Sequence, residues 1–297
     1  MQGLFVLVRQ GQIMDHRNFL RQDYGLINPL QLDPGQWQEM PSIPLIPAQL
    51  DAAAHQMPHL IILRDMPEME KLRMLDKSDS WQGAYGVPII PVLLRSSEKP
   101  DVLAKKLMAS MLARYRRDGW FWLRFHDPRV FRHLQWIMNP AQLQRLMGRG
   151  NSWSWFDQEH KGWCEKECPE SGAEYPLVLD MAQWGSVFRL EVLNRTLKDV
   201  LRIRPGLEMS ERLFRDIDEL ILRAVEVEAL TALDDQVAYT RNSLIFGPAF
   251  HEHPAIRACL ASARIGEAGY TSGVALVERD VLSEINFEMG TAQIGQA

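Results

Sequence analysis

The stretch that decides the fold is residues 120–131, WFWLRFHDPRVF. Its first six residues are almost continuously apolar, which predicts a strand at Trp120–Phe125 in the middle of a sheet with both faces covered. Asp127 is a good N-cap and Pro128 a good first helical residue, so a helix should follow directly. The stretch therefore predicts a strand followed by a helix, within a mixed α/β region.

Upstream of this stretch, the pattern predicts three strands and three helices. The strands are Leu4–Val8, His59–Arg64 and Val87–Leu94. The last of these should lie at a sheet edge or carry a bulge, because Pro88 and Pro91 cannot donate ladder hydrogen bonds. The helices are predicted after Asp15, from Pro67 to Leu75, and from Asp101 to Arg117, the last with apolar side chains at steps of three and four.

Downstream, the pattern becomes mainly helical. Asn139-Pro140 should open a short helix that ends at Gly148, and residues 149–179 are interpreted as a connection between two lobes. Further helices are predicted from Asp180 to about Arg204, after Ser210, after Pro254 and near Val277–Glu288. The predicted fold is an α/β (α+β) N-terminal lobe, 1–160, with a small mixed sheet flanked by helices, then a mainly helical lobe, 161–297.

Composition favours a globular cytoplasmic protein. The chain has 297 residues, 46% of them hydrophobic and 24% charged, and three cysteines. We expect no membrane span, no signal peptide and no disulfide framework. The net charge is −5, which is too acidic for a typical nucleic-acid binder. Residues 95–149 carry 12 basic and 4 acidic side chains, so this segment could face a charged partner or simply be solvated.

Residues 87–156 resemble the domain found in adaptor-chaperones of bacterial type VI secretion. The family has an amphipathic helix, then an aromatic strand ending in a phrase close to "fRfyDPRv", which stands here at Trp122–Phe131. A Gln-rich helical step follows at Asn139–Gly148, and an aromatic patch follows at Trp153–Phe156. His126 departs from the family, in which a tyrosine is more usual.

The resemblance implies a non-enzymatic role without a cofactor. Such adaptors bind the N-terminal region of a secreted toxic effector and promote its loading onto a VgrG-type spike protein. Neither nucleic acid nor membrane is an expected partner. An immunity-like protein that neutralises the toxin is the related alternative.

Five residues are the predicted partner-binding site: Arg124, Asp127, Arg129, Trp153 and Trp155. Tryptophan and arginine are the residue types most often found as binding hot spots, and an adaptor should offer an apolar groove with a charged rim. Structural roles are the alternative for each. The tryptophans could fill a junction between lobes, and Arg124 and Asp127 could pair to brace the strand-to-helix turn.

Three other groups of residues could indicate an enzyme or a metal site, but each is weaker evidence than the resemblance to the adaptors. His126 could act as a base beside Asp127 and the two arginines, but no phosphate loop or nucleophile motif accompanies them. His160, Cys164 and Cys168 would line one face of a helix and could bind zinc with a fourth ligand. His251-Glu252-His253 lacks the spacing of zinc proteases and is predicted to be a solvated loop. We expect neither catalytic residues nor a metal.

Overall fold

The computed structural model describes residues 14–115, 119–170 and 177–277. The chain divides into two compact units, 1–184 and 185–297. The predicted strand at Leu4–Val8 and nearly all of the predicted helix near Val277–Glu288 lie outside the described residues.

The described part of the N-terminal unit contains a six-stranded sheet in which every neighbouring pair is antiparallel. Its strands are β1 (Tyr24–Ile27), β2 (Ser42–Pro44), β3 (His59–Ile62), β4 (Val92–Arg95), β7 (Ser152–Asp157) and β8 (Gly162–Glu167). They lie in the order β2-β3-β1-β4-β7-β8. Between β4 and β7 in the chain, β5 (Leu112–Tyr115) and β6 (Gly119–Trp122) form a separate two-stranded sheet.

Helices accompany this sheet, which confirms the predicted fold class for the N-terminal region. They are α1 (His16–Leu20), α2 (Glu68–Tyr85), α3 (Pro100–Met111), α4 (Pro128–Ile137) and α5 (Pro140–Met147). Shorter 3-10 helices lie at Pro29–Gln31, Pro34–Gln36 and Ala48–Gln56. None of the helices in the described ranges combines the length and apolar character that a bilayer crossing requires.

The sheet is apolar on both faces because side chains alternate along each strand. On one face, Leu93 and Phe156 join a core that includes Met74 and Leu75 of α2. On the other face, Phe131 of α4 stacks on Trp153 of β7, with ring centroids 4.8 Å apart. Both faces are therefore packed against helices.

The predicted helix starts are confirmed by their capping hydrogen bonds. Asp15 accepts from the Asn18 amide at 2.7 Å, and Asn139 forms a full capping box with Gln142. Asp180 accepts from the Gln183 amide at 2.8 Å. Local capping chemistry thus sets where these helices begin, as the sequence predicts.

Two predicted strand positions are wrong. The strand predicted at Val87–Leu94 is shorter and begins at Val92, as β4. It lies between β1 and β7 rather than at an edge. Its prolines precede it, so they remove no ladder hydrogen bond. The strand predicted at Trp120–Phe125 is β6, which ends at Trp122 and forms a separate two-stranded sheet with β5 rather than lying within the main sheet. Trp120 is 60% exposed, so it is not a core residue.

Two further predictions are corrected by strand pairing. The helix predicted to run to Arg117 ends at Met111, because the next four residues pair with β6. The segment 149–179 is not merely a connection, since it contains β7 and β8 of the main sheet. The predicted lobe boundary after residue 160 falls in the turn between these two strands.

Within its described part, the C-terminal unit consists of helices joined by turns and loops. Its helices are α6 (Met181–Ile203), which begins in the N-terminal unit, α7 (Glu211–Glu226), α8 (Leu233–Phe246), α9 (Pro254–Arg264) and α10 (Tyr270–Ala275). One core cluster is built around Tyr239, Phe250 and Tyr270. Between α6 and α7, Arg189 donates two hydrogen bonds to the buried Asp218 carboxylate, at 2.7 and 2.8 Å, and Ser186 donates a third.

Candidate functional site

The loop from β6 to α4 is organised by one buried carboxylate. Asp127 caps α4 by accepting a hydrogen bond from the Arg129 amide at 3.0 Å. The Arg129 guanidinium donates to both carboxylate oxygens, at 3.0 and 2.8 Å. Burial would raise the pKa of Asp127, but the hydrogen bonds from Arg129 outweigh it and hold that pKa below its usual value. The carboxylate is therefore ionised and fixed in place.

Arg124 has a looser position beside this pair. Its Nη2 lies 4.0 Å from Asp127 Oδ2, and its guanidinium lies 5.4 Å from the centre of the Trp122 ring. The Arg124 side chain is 45% exposed, and the Arg129 side chain is 46% exposed. Two cationic side chains are thus presented to solvent around a buried anion.

His126 points into the protein rather than towards solvent. It is 2% exposed, stacks on Trp122 and meets Phe125 edge to face. Neither ring nitrogen has a hydrogen-bond partner among the described residues. Burial lowers the pKa of His126 to about 4, so the ring is neutral at pH 7. In this conformation no substrate could reach the ring.

A groove of about 310 Å³ runs beside the capped start of α4. Asp127, Pro128 and Arg129 form one side of it. The other lining residues come from the segment after β1, from the end of α2 and the segment that precedes β4, and from the end of β7 and the turn after it: Asn28, Gln31, Leu32, Tyr85, Val87, Pro88, Ile89, Pro91, Phe156 and Gln158. The lining combines an apolar floor with polar groups at its margin, which is the arrangement expected of a binding cleft.

The predicted site residues do not all reach this groove. Asp127 and Arg129 line it, and Arg124 lies next to them on the loop. Trp153 and Trp155 are 0% and 2% exposed and pack against Phe131, so they are core residues of β7. The binding role of all five residues stays a prediction, but the two tryptophans have almost no exposed surface with which to contact a partner.

Sequence reasoning missed most of the groove lining. Tyr85 is 62% exposed at the last residue of α2, a helix predicted to end ten residues earlier. Pro88 and Pro91 were recognised only as obstacles to a strand. The signal available was the Pro-Ile-Ile-Pro sequence itself, which places two rigid, apolar residues close together before a strand.

A buried charge cluster near the groove was also missed. Arg132 of α4 is 7% exposed and pairs with Asp157 at 3.2 Å and Glu159 at 2.9 Å. Asp157 also accepts hydrogen bonds from the amides of Glu159 and His160. Burial opposes ionisation, but these partners, with the His160 ring, lower the pKa of Asp157 far below its usual value. The cluster ties α4 to the turn that joins β7 and β8.

The residues considered for metal binding are not aligned as a helix would align them. Cys164 lies within β8, whereas His160 and Cys168 lie before and after it. His251 is buried in a 3-10 helix (Pro248–Glu252), stacked on Tyr239 at 4.0 Å, so the prediction of a solvated loop there is wrong. No group of three or more candidate ligands is assembled within the described ranges.

One family model matches the chain. It is described as "Domain of unknown function (DUF4123)" and covers residues 30–145, which include β2 through α4, most of α5 and the Asp127–Arg129 turn. The comparison with curated proteins gave no match, and neither did the comparison with solved structures. The matched segment supplies most of the groove lining, although Asn28, Phe156 and Gln158 lie outside it.

Proposed function

We propose that this protein is a non-enzymatic adaptor and chaperone that binds a type VI secretion effector and promotes its loading onto a VgrG-type spike. The observation that carries the proposal is the DUF4123 match over residues 30–145. This match contains the whole phrase at Trp122–Phe131 that resembles the adaptor-chaperones. The family resemblance supplies the biological role, and the groove supplies a physical means of binding a polypeptide.

The groove suits a segment of an effector that would otherwise expose apolar side chains. Its floor offers the half-buried Leu32, Val87 and Pro91, and its prolines have no backbone N–H that would need a partner. At the margin, the Asp127–Arg129 pair is held by two short hydrogen bonds. An apolar segment could bury its side chains on the floor while its polar groups meet the margin.

Tyr85 provides the sharpest test because it is a large, exposed side chain at the groove. We expect Tyr85→Ala to weaken binding of the effector encoded beside this protein by about tenfold or more, as for an aromatic hot spot. Affinity would be measured by calorimetry, and chaperoning by the soluble yield of the co-expressed effector. Met69→Ala is the matched control, since Met69 is 64% exposed on the same helix and does not line the groove.

Two results would contradict the proposal at different levels. If the effector is soluble and secreted normally without this protein, the adaptor role is wrong. If the effector binds but Tyr85→Ala and Met69→Ala behave alike, the adaptor role survives and the groove does not contain the binding site. Arg129→Glu is a poorer probe, because it would place a second carboxylate beside the buried Asp127.

A further inference from the structure

The β5–β6 hairpin has one face packed against the protein and one face towards solvent. Residues directly opposite each other in an antiparallel pair lie on the same face, so the register divides the hairpin side chains into two sets. On the inner face, the rings of Tyr115 and Phe121 meet Trp184 edge to face, at 5.4 and 5.2 Å between ring centres. The outer face, called the hairpin face below, is made by Leu112, Arg114, Trp120 and Trp122.

Trp120 dominates the apolar part of the hairpin face. It is 60% exposed, whereas every other tryptophan, all of them within the described ranges, is buried or half-buried. Trp122 and Leu112, on the same face, are half-buried, so the three side chains form one continuous apolar patch. An apolar patch that includes an exposed tryptophan is typical of a surface that a partner covers.

Arginines border this patch on two sides. Arg114 lies directly opposite Trp120 on the neighbouring strand and is exposed. The Arg124 guanidinium lies 5.4 Å from the centre of the Trp122 ring, just beyond the end of β6. Tryptophan and arginine are the side chains that most often carry the binding energy of an interface, and here they lie side by side.

The positive charge of this border is only partly compensated. Arg124 Nη2 lies 4.0 Å from Asp127 Oδ2, and that carboxylate already accepts two hydrogen bonds from the Arg129 guanidinium. Residues 112–129 carry five basic and two acidic side chains. The hairpin face and its border therefore complement a partner that presents carboxylates around an apolar group.

We propose that the hairpin face is a docking surface for an acidic polypeptide segment with an apolar side chain among its carboxylates. The apolar side chain packs on Trp120 and Trp122, and the carboxylates pair with Arg114 and Arg124. A polypeptide is favoured over a nucleic acid because the chain has a net charge of −5, which opposes the approach of a phosphate backbone. The surface does not depend on the adaptor role, and its residues differ from those that line the groove.

Selection from a displayed library of random dodecapeptides, with the full-length protein as bait, tests this surface. We expect the enriched peptides to contain more Asp and Glu than the starting library. In calorimetry, the strongest of them should bind about tenfold more weakly to Trp120→Ala than to the unchanged protein. Its binding should also weaken as the salt concentration rises. Tyr85→Ala is the matched control, because Tyr85 is 62% exposed but lines the groove.

Arg124→Gln gives a second test that leaves both strands of the hairpin unchanged. It should weaken peptide binding by about threefold or more, whereas Arg145→Gln, at an exposed arginine of α5, should not. The proposal is overturned if no peptide is enriched, if the enriched peptides are not acidic, or if either variant weakens binding no more than its control does. Binding of oligothymidine that is lost in Trp120→Ala would overturn it in favour of a nucleic-acid surface.

Discussion

Asp127 and Asp218 are equally buried, at 8% exposed, yet their arginine partners differ in a way that separates their roles. Asp127 pairs with Arg129, two residues along the chain and 46% exposed. Asp218 pairs with Arg189, 29 residues away on another helix and 19% exposed. A local pair shapes a loop and its surface, whereas a non-local buried pair joins two elements. The first should therefore matter more for binding, and the second for stability.

The largest effect is expected from Asp218→Ala. Removing this carboxylate leaves the mostly buried Arg189 charge without its partner, which should lower the free energy of unfolding by about 2–4 kcal/mol. Urea denaturation of the purified variant measures it. Asp216→Ala is the control on the same helix, because its carboxylate is 56% exposed and its contact with Arg212 is 4.0 Å long. A similar loss in both variants would contradict the comparison.

The next effect concerns His126, the buried histidine beside Asp127, whose protonation should make the stability of the fold depend on pH. The folded-state pKa of His126 is lowered to about 4, whereas an unfolded histidine titrates near 6.5. The unfolded chain thus binds more protons between these values, so stability is full above about pH 6.5 and falls as pH drops towards 4. We expect His126 to account for roughly 1–3 kcal/mol of this fall.

Denaturation at several pH values, with His126→Phe, measures that contribution. The variant should lose part of the slope between pH 6.5 and 4, and the exposed His55→Gln control should keep it. Some slope should remain in His126→Phe, because burial also lowers the pKa of His251 to about 4. An unchanged slope in His126→Phe would show that His126 is not buried as the structure describes.

The smallest effect is expected from Asp127→Asn. Asparagine caps helices about as well as aspartate, so this change keeps the cap and removes only the charge-assisted pairing with Arg129. We expect a loss of about 1 kcal/mol in the free energy of unfolding, and a larger loss for Asp127→Ala, which removes the cap as well. Equal losses in urea denaturation would mean that the cap contributes nothing, and an unchanged stability in Asp127→Asn would mean that the ion pair contributes nothing.

Helix starts were predictable from sequence because their determinants are local. Asp127-Pro128, Asn139-Pro140 and Ser210 each act on amides within three residues. The apolar stripe that follows Ser210, from Leu213 to Leu230, likewise predicts a helix there, and α7 ends at Glu226. α8 was missed because its buried side chains include Asp235, Thr240 and Asn242, which do not form an apolar stripe.

Strand placement was less predictable because it depends on distant partners. The helical spacing of Leu107, Met111 and Tyr115 continues past the end of α3, but pairing with β6 extends residues 112–115. Trp153 and Trp155 were predicted to contact a partner at the surface. In the structure they lie on β7 and pack against Phe131. For the candidate site, Asp127 was predictable because its capping motif is local, and Arg129 stands in the same short phrase. The groove was not predictable, because its lining comes from segments as distant in the chain as Leu32, Val87 and Gln158.

The position of β4 between β1 and β7 affects how the protein can be truncated. The family match ends at residue 145, before β7 begins at Ser152. A fragment cut at that limit would leave one edge of β4 without a neighbouring strand. It would also lack Trp155 and Trp153, which lie opposite Val92 and Leu94 respectively. Open apolar edges template aggregation, so recombinant expression of this domain requires a C-terminal limit beyond β8.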